Sequence, residues 1–267
     1  MTSMLSFVRL KAGRLYGIWM LLAVLVAGCG NWGEKDVRNY YFPIRELQDG
    51  LVYEYQPVGN EGLTPVYWYY RSFLSKDSVL LTGTYYEYEL LPLQLVKEKL
   101  VGNGVLLQEL LMYPVDSLGE QQTIKAGIIA GNVFPFEVRD SNEVYLYKVK
   151  LEFPGMPGAS TTLIKNRRYV GDTTFVWQGK TLPAIKFSVR EMVEDLDPND
   201  GVVEPEYRGE EIYAEGLGLV YYKKIIYENL YIAYQLERRY PMEMLEQLFL
   251  ERRNTSEEGL EDLEEEQ

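Results

Sequence analysis

Short segments with the alternating pattern of a β-strand follow one another through most of this sequence, from residue 51 to residue 240. In the clearest of them, residues 144–153, one set of alternate positions holds Lys148 and Lys150, and the other holds only tyrosine, valine, leucine and phenylalanine. A period of two places successive side chains on opposite faces of a sheet. We count roughly a dozen such segments separated by short turns, which predicts a mostly β chain. The expected architecture is an antiparallel, strongly curved sheet, either a half-barrel or a sandwich.

Glycine-bearing turns separate several of these segments. Gly102-Asn103-Gly104 and Gln178-Gly179-Lys180 each stand between two apolar segments, and Gly and Asn supply the backbone conformations that tight turns need. Both sites predict hairpins between neighbouring strands. Segments 161–170 and 173–177 are expected as two separate strands.

Only the C-terminal part has a helical pattern. Pro241 suits the first turn of a helix, and apolar residues then recur at spacings of three and four: Met242, Leu245, Leu248 and Phe249. Residues 254–267 carry seven acidic residues and no basic ones, so we expect an acidic, disordered tail. The folded part is therefore predicted to be a single antiparallel β domain with one C-terminal helix, residues 40–253.

The N-terminus has the order of a secretory signal. Arg9, Lys11 and Arg14 precede an apolar run over residues 18–27, and small residues lead to Cys29. The run is short for a bilayer span, which needs about 20 apolar residues. This segment has two ordinary interpretations, a transmembrane anchor and a plain secretory signal with an incidental cysteine. The residues around Cys29 indicate a third.

Val26-Ala27-Gly28-Cys29 resembles the lipobox of bacterial lipoproteins, in which the cysteine thiol becomes linked to diacylglycerol. The resemblance implies a signal peptide over residues 1–28, a lipidated Cys29 and a polar tether over residues 29–39. Gly30 is not acidic, which by the same resemblance implies transfer to the outer membrane and leaves the membrane face open. Acyl chains contribute about 0.8 kcal/mol per buried CH2, so we expect the membrane to be a partner.

The chain contains no histidine and one cysteine. Histidine is the commonest general base and metal ligand near neutral pH, so catalytic triads, Cys-His pairs and histidine zinc sites are excluded. A paired-carboxylate glycosidase, a Ser-Lys nucleophile and calcium chemistry survive, but no Ser-x-x-Lys motif occurs. Residues 1–28 contain three basic residues and no acid, so their removal changes the net charge from −13 to −16. A chain this negative repels the phosphates of nucleic acid. The composition thus favours a protein that is not an enzyme.

An acidic segment near residue 200 is the sharpest local motif. Its spacing resembles a calcium-binding EF-hand loop, with oxygen-bearing side chains at places one, three, five and twelve: Asp195, Asp197, Asn199 and Glu206. Gly201 falls at the seventh place rather than the sixth, and no flanking helices are predicted. A solvated hairpin loop has the same composition, so calcium is the one cofactor that the sequence leaves open.

Aromatic residues are abundant, with 23 tyrosines, four tryptophans and nine phenylalanines. Aromatic rings stack on sugars and peptides, but they also favour strands and cores. Four consecutive aromatics, residues 67–70, must point to both faces of a sheet, so we expect at least one face to be covered. The candidates for a ligand-lining minority are Trp68, Tyr70, Tyr86, Tyr88 and Trp177. Of the acids on apolar strands, Glu87, Glu89 and Glu109 are expected on a solvated exterior.

The segment from Glu211 to Tyr222 contains two glycines between an aromatic and a hydrophobic-valine pair, Tyr213-Ala214-Glu215-Gly216-Leu217-Gly218-Leu219-Val220. It resembles a hairpin of outer-membrane lipoproteins of the Bacteroidota type that share the half-barrel of the LolA/LolB lipoprotein carriers. The resemblance implies architecture and an envelope location, and it carries no catalytic residue across. In the carriers a helical lid covers acyl chains on the concave face, whereas the helix predicted here comes last.

Three hypotheses follow. The favoured one is a non-enzymatic, lipid-anchored envelope protein whose curved sheet binds a hydrophobic ligand or an envelope protein. The alternative is a surface glycan-binding or glycan-processing lipoprotein, and processing requires two carboxylates about 5 to 10 Å apart in one cleft. A scaffold without a ligand predicts no sizeable apolar pocket.

Overall fold

The computed structural model describes residues 34–60, 62–87, 90–116, 119–139, 143–199 and 201–265, with side chains as far as Asn254. The predicted signal peptide, Cys29 and Tyr88 lie outside the described residues. The strands are β1 Lys35–Asp36, β2 Leu51–Pro57, β3 Val66–Leu74, β4 Val79–Tyr86, β5 Pro92–Val101, β6 Gly104–Met112, β7 Ile124–Lys125, β8 Gly127–Pro135, β9 Glu137–Val138, β10 Tyr145–Glu152, β11 Ser160–Trp177, β12 Lys180–Asp197, β13 Gly201–Val203, β14 Glu206–Ala214, β15 Gly218–Tyr227 and β16 Leu230–Tyr240. A 3-10 turn, Arg38–Tyr40, follows β1, and one helix, α1 Met242–Glu265, follows β16.

The large sheet closes on itself. Twelve strands pair in the order β11-β10-β8-β6-β5-β4-β3-β2-β16-β15-β14-β12, and β12 pairs again with β11. All these pairs are antiparallel, and the final ladder runs from Ser160 opposite Leu196 to Trp177 opposite Lys180. The mostly β, antiparallel architecture of about a dozen strands with one C-terminal helix is confirmed. Its curvature goes further than a half-barrel or a sandwich, since closure leaves the twelve-strand path without a free edge.

The longest hairpin corrects one boundary. Segments 161–170 and 173–177, expected as two strands, form the single strand β11, in which a register shift lies between Tyr169 and Gly171. Gly171 has a φ of 150°, which glycine adopts readily at a bulge. The predicted turn beyond it is confirmed, since Gln178 and Gly179 have positive φ values of 49° and 76°.

The N-terminal segment closes one end of the barrel, which we call the plug end. In residues 37–47, the plug segment, Val37, Tyr41, Phe42 and Leu47 are buried. The predicted tether over 29–39 is therefore wrong at its C-terminal end, because β1 pairs with β9 and Val37 is wholly inaccessible to solvent. The opposite end, where strands β2, β6, β10, β12 and β15 finish, is called the mouth.

Helix α1 covers part of the outer face. Its residues Leu245 and Phe249 are buried against Val52, Tyr67 and Tyr240, in a cluster separate from the barrel interior. The predicted disordered tail over 254–267 is wrong for its described part, since the helix runs to Glu265; glutamate and leucine are good helix formers. Among the described residues, no helix is both long and apolar enough to cross a bilayer.

Candidate functional site

An apolar cavity lies at the mouth of the barrel. It has a volume of about 310 Å³, and its walls come from the mouth ends of β5, β6, β10 and β11 together with β7: Leu93, Met112, Tyr113, Pro114, Ile124, Leu151, Phe153 and Thr161. No charged side chain is among them. Pockets for small apolar molecules are typically about 300–1,000 Å³ and lined in this way. This cavity is therefore large enough for a small hydrophobic group.

A second cavity, of about 180 Å³, lies where β11, β12, β14 and β15 approach the mouth. Charged and tyrosine side chains dominate its wall: Lys165, Glu191, Tyr207, Arg208, Glu210, Glu211, Tyr222, Lys223 and Lys224. Gly209 borders it, and a Cβ added to that residue would stand 2.0 Å from the carbonyl oxygen of Lys223. Glycine is thus required for the close approach of β14 and β15.

A chain of alternating charges runs from this cavity into the interior. The Lys224 ammonium contacts Glu191, and Lys165 Nζ lies 3.6 Å from Glu191 Oε2 and 3.5 Å from Glu211 Oε1. Arg167 Nε then donates to Glu211 Oε2 at 2.6 Å. Every acid on this path lies between two cations, which offsets the loss of hydration on burial.

The cations hold both acids ionised. Burial raises the pKa of Glu211, but the Arg167 guanidinium and the Lys165 ammonium outweigh it and keep that pKa at about 2. Burial also opposes ionisation of Glu191, yet Lys165 and Lys224 lower its pKa below the ordinary value. Neither carboxyl group therefore holds a proton near neutral pH, as a glycosidase general acid must.

Glu98 of β5 is the exception among the interior acids. Burial raises its pKa, against the effects of a hydrogen bond from the Tyr41 hydroxyl and of the Arg167 charge. Tyr41 belongs to the plug segment, and burial raises the pKa of its own hydroxyl. The plug segment is thus joined to the barrel wall by a bond between two groups that both favour their protonated forms.

The predicted ligand-lining aromatics do not form one site. Trp68 and Tyr70 lie inside the barrel with ring centroids 5.7 Å apart and planes 8° from parallel. Tyr86 packs with the α1 cluster on the outer face, and Trp177 packs on the main core at the far end of β11. The residues that line the apolar cavity include none of these four. The expectation that at least one face of residues 67–70 is covered is confirmed, since Tyr67 is buried on the α1 side and Tyr70 in the core.

The acidic segment is a hairpin rather than a loop. Asp195 and Asp197 end β12, and Glu206 begins β14. Asp195 Oδ1 accepts a hydrogen bond from the Thr161 hydroxyl at 2.6 Å, Asp197 Oδ1 accepts one from the Asn199 N–H at 2.7 Å, and Glu206 pairs with Arg190 at 2.5 Å. Within the described ranges, no three acidic, histidine or cysteine side chains form a group that could hold a metal ion. Of the four residues chosen by spacing, Asp195 and Glu206 therefore bond to side chains of other strands, and Asp197 accepts the backbone N–H of Asn199.

Sequence reasoning missed the buried acids. Glu54, on the outer face beneath α1, accepts hydrogen bonds from Arg238 and from the Tyr240 hydroxyl, the latter at 2.7 Å. Glu98 and Glu211 lie in segments with charged neighbours, Lys97-Glu98-Lys99 and Glu210-Glu211, which made them look solvated. The alternation of strand side chains could have identified them as buried. Glu98 lies on the same strand face as Val96 and Leu100, and Glu211 lies on the same face as Tyr213.

Comparisons with known proteins give the fold a limited context. No protein-family model and no curated protein matches the sequence. A candidate lipoprotein of Parabacteroides distasonis is 14% identical, with 75% of this chain and 98% of that chain covered and a TM-score of 0.47. A candidate exported protein of Bacteroides fragilis with a YmcC-like fold is 15% identical, with the same coverages and a TM-score of 0.49.

The hypothetical lipoprotein YmcC of Escherichia coli is 9% identical, with 81% of this chain and 92% of that chain covered and a TM-score of 0.30. At these identities and TM-scores the similarities carry no functional argument. None of the three descriptions names a lipoprotein carrier, so the resemblance to the LolA/LolB type stays a prediction.

Proposed function

We propose that this chain is a lipid-anchored protein of the bacterial envelope that binds a small hydrophobic ligand at the mouth of its barrel and is not an enzyme. The observation that carries the proposal is the apolar cavity of about 310 Å³, whose wall contains no charged side chain. A scaffold without a ligand predicts no such cavity. The lipidated residue would be Cys29, and the outer membrane would be the site of attachment.

The polar cavity is a poorer candidate for a reaction centre. Glu191 and Glu211 share the Lys165 ammonium, so two carboxylates do face one space. Both have lowered pKa values, and hydrolysis of a glycoside requires one of the pair to be protonated. The charges are better explained as a network that keeps the barrel wall together.

Native mass spectrometry on the soluble fragment Gly30–Gln267, purified without detergent from a bacterial host, tests ligand binding. We expect a retained adduct of lipid-like mass that organic solvent releases, and a competing adduct after addition of dodecanoic acid. Leu151→Trp fills the cavity and should abolish both. Ile129→Trp, at a residue 60% exposed on β8, is the matched control and should retain them. Equal adducts in the two variants would place the ligand elsewhere.

Metabolic labelling with an alkynyl fatty acid tests the anchor. Label on the wild-type chain, and none on Cys29→Ser, would support lipidation at that residue. Gly30→Asp should keep the label but move the protein from the outer to the inner membrane fraction. Label that persists on Cys29→Ser would reject the anchor.

A further inference from the structure

Three exposed apolar side chains lie on one face of the strands at one side of the mouth: Val203, Tyr227 and Leu230. Their exposed fractions range from 50% for Leu230 to 75% for Tyr227. Tyr227 is paired with Leu230 across β15 and β16. The chain continues from β13 into β14, where Arg208 is opposite Ile225, so β13 points toward the β15–β16 turn. Leu196, Val202 and Ile225 are also exposed, but the registers place them on the opposite face. We call Val203, Tyr227 and Leu230 the apolar strip.

The strip includes an open strand edge. Among the described strands, β13 pairs with β12 alone. Proteins usually protect such edges with charges, proline or a covering segment, because a free edge can pair with another chain. Gly201, Val202 and Val203 carry no charge and no proline, so this edge is limited only by its length of three residues and by Glu204 and Pro205, which follow it. An extended peptide can add to an edge of this kind through main-chain hydrogen bonds, with pockets for alternate side chains.

The surroundings of the strip are acidic. Residues 194–206 contain six carboxylates and no basic residue, and Glu228 stands in the β15–β16 turn. A surface of this composition attracts basic segments and repels anionic lipid head groups. The plug end carries charges of both signs, with Lys35, Arg38, Arg45 and Arg139 beside Glu34, Asp36, Glu46, Asp49 and Glu137.

We propose that the apolar strip and the free edge of β13 bind an extended segment of a partner protein in which basic and apolar residues alternate. The apolar residues would cover the strip, the basic residues would meet the carboxylates of 194–206, and the main chain would extend the sheet beyond β13. The surface is independent of the proposed lipid anchor and of the ligand cavity.

Fluorescence anisotropy on the full-length lipidated chain in phosphatidylcholine nanodiscs tests the proposal with labelled ten-residue peptides. We expect an alternating Lys-Val peptide to bind about tenfold more tightly than an alternating Glu-Val or Lys-Ser peptide. Lys-Val peptides methylated at alternate backbone nitrogens should lose binding, because they keep charge and side chains but lack donors for a strand edge. Tyr227→Ser should weaken binding, and Val176→Thr, at the plug end, should not.

Charge reversal provides the matched pair of variants. Glu204→Lys with Glu228→Lys should weaken Lys-Val binding about tenfold and admit the Glu-Val peptide, whereas Asp49→Lys with Asp77→Lys at the plug end should change neither. Equal binding of Lys-Ser and Lys-Val peptides would overturn the proposal, as would binding unaffected by backbone methylation. Capture of free phosphatidylcholine vesicles that Tyr227→Ser abolishes would overturn it in favour of a lipid surface. Retained dodecanoic acid adducts in the strip variants would separate failure here from failure of the ligand cavity.

Discussion

Arg167 and Glu211 form a bidentate ion pair inside the barrel. Arg167 Nε donates to Glu211 Oε2 at 2.6 Å and Nη2 donates to Oε1 at 3.3 Å, while Nη1 reaches the Val133 carbonyl at 3.2 Å. Both side chains are less than one-tenth exposed. The pair joins β11 to β14 across the intervening β12, so it ties together strands that share no backbone hydrogen bonds.

Removing the cation of this pair is expected to destabilise the folded protein strongly. Arg167→Met leaves a buried carboxylate with one partner fewer and should lower the free energy of unfolding by about 3–5 kcal/mol, measured by urea denaturation at pH 7. Arg190→Met removes an exposed partner of Glu206, and solvent screening of that pair should make its loss much smaller. Equal losses would show that burial of the Arg167 pair has no energetic consequence.

The same pair predicts how stability depends on acid. The pKa of Glu211 is about 2 in the folded protein against an ordinary value of 4.5, so its contribution is complete above pH 4.5 and is lost as the pH falls toward 2. In Arg167→Met this acid loss should shrink, because burial then raises the pKa of Glu211. Urea denaturation between pH 3 and pH 7 measures the change, and parallel pH profiles for the two proteins would contradict it.

Glu98 should give the pH dependence of stability the opposite sign. Its pKa is raised in the folded state, so ionisation reduces stability as the pH rises above 4.5. Glu98→Gln should therefore melt at a higher temperature than the wild type at pH 8 and at a similar temperature at pH 4. Glu109→Gln is the control, since Lys125 lowers the pKa of that acid and its loss should not stabilise the protein at pH 8.

The helix offers a matched pair of leucines. Leu245 is fully buried against the outer face of the barrel, whereas Leu250 is 55% exposed. Leu245→Ala should reduce the free energy of unfolding by about 2–5 kcal/mol through lost burial and a residual cavity. Leu250→Ala makes the same change in helix propensity, and its free energy of unfolding should stay within about 0.5 kcal/mol of the wild-type value. Similar effects in chemical denaturation would show that α1 does not dock on the barrel.

Alanine substitutions at two glycines near the β14–β15 turn distinguish the cost of backbone strain from the cost of a packing clash. Gly216 and Gly218 have φ values of 73° and 89°. A Cβ at Gly218 would stand 2.5 Å from Phe42 Cδ1, whereas none of the surrounding atoms lies within 4 Å of a Cβ at Gly216. Gly216→Ala should cost about 1–2 kcal/mol for the left-handed backbone, and Gly218→Ala about 1–3 kcal/mol more because the plug segment must move. Equal melting temperatures would contradict that contact.

Local patterns predicted the strands and turns, and they did not predict closure. The turns at Asn103 and Gly179 depend on residues adjacent in the sequence, so their chemistry can be read directly. Closure depends on the pairing of β8 with β10 and of β2 with β16, and alternation does not say which strands pair. The plug segment escaped notice for a related reason, because residues 37–47 have no strand period and are buried only by a barrel assembled later in the sequence.

The candidate site was less predictable than the fold. Trp68 and Tyr70 were selected for their chemistry and prove to be packed inside the barrel, whereas the apolar cavity is lined by ordinary aliphatic residues such as Met112 and Leu151. Arg167 and Glu211 are 44 residues apart in the sequence. Their encounter depends on the stagger of β11 against β14, which no single segment encodes.

The position of the plug segment determines which contacts a cut on its N-terminal side would remove. A cut between Cys29 and Glu34 removes none of the contacts described here, because burial begins at Val37 and the first ion pair at Glu34. The freed barrel would keep its closed end, its cavity and its apolar strip. If Cys29 carries the proposed lipid, a form released by such a cut would keep the surfaces proposed to bind the ligand and the partner, and the anchor would determine where the protein is found and not how it folds.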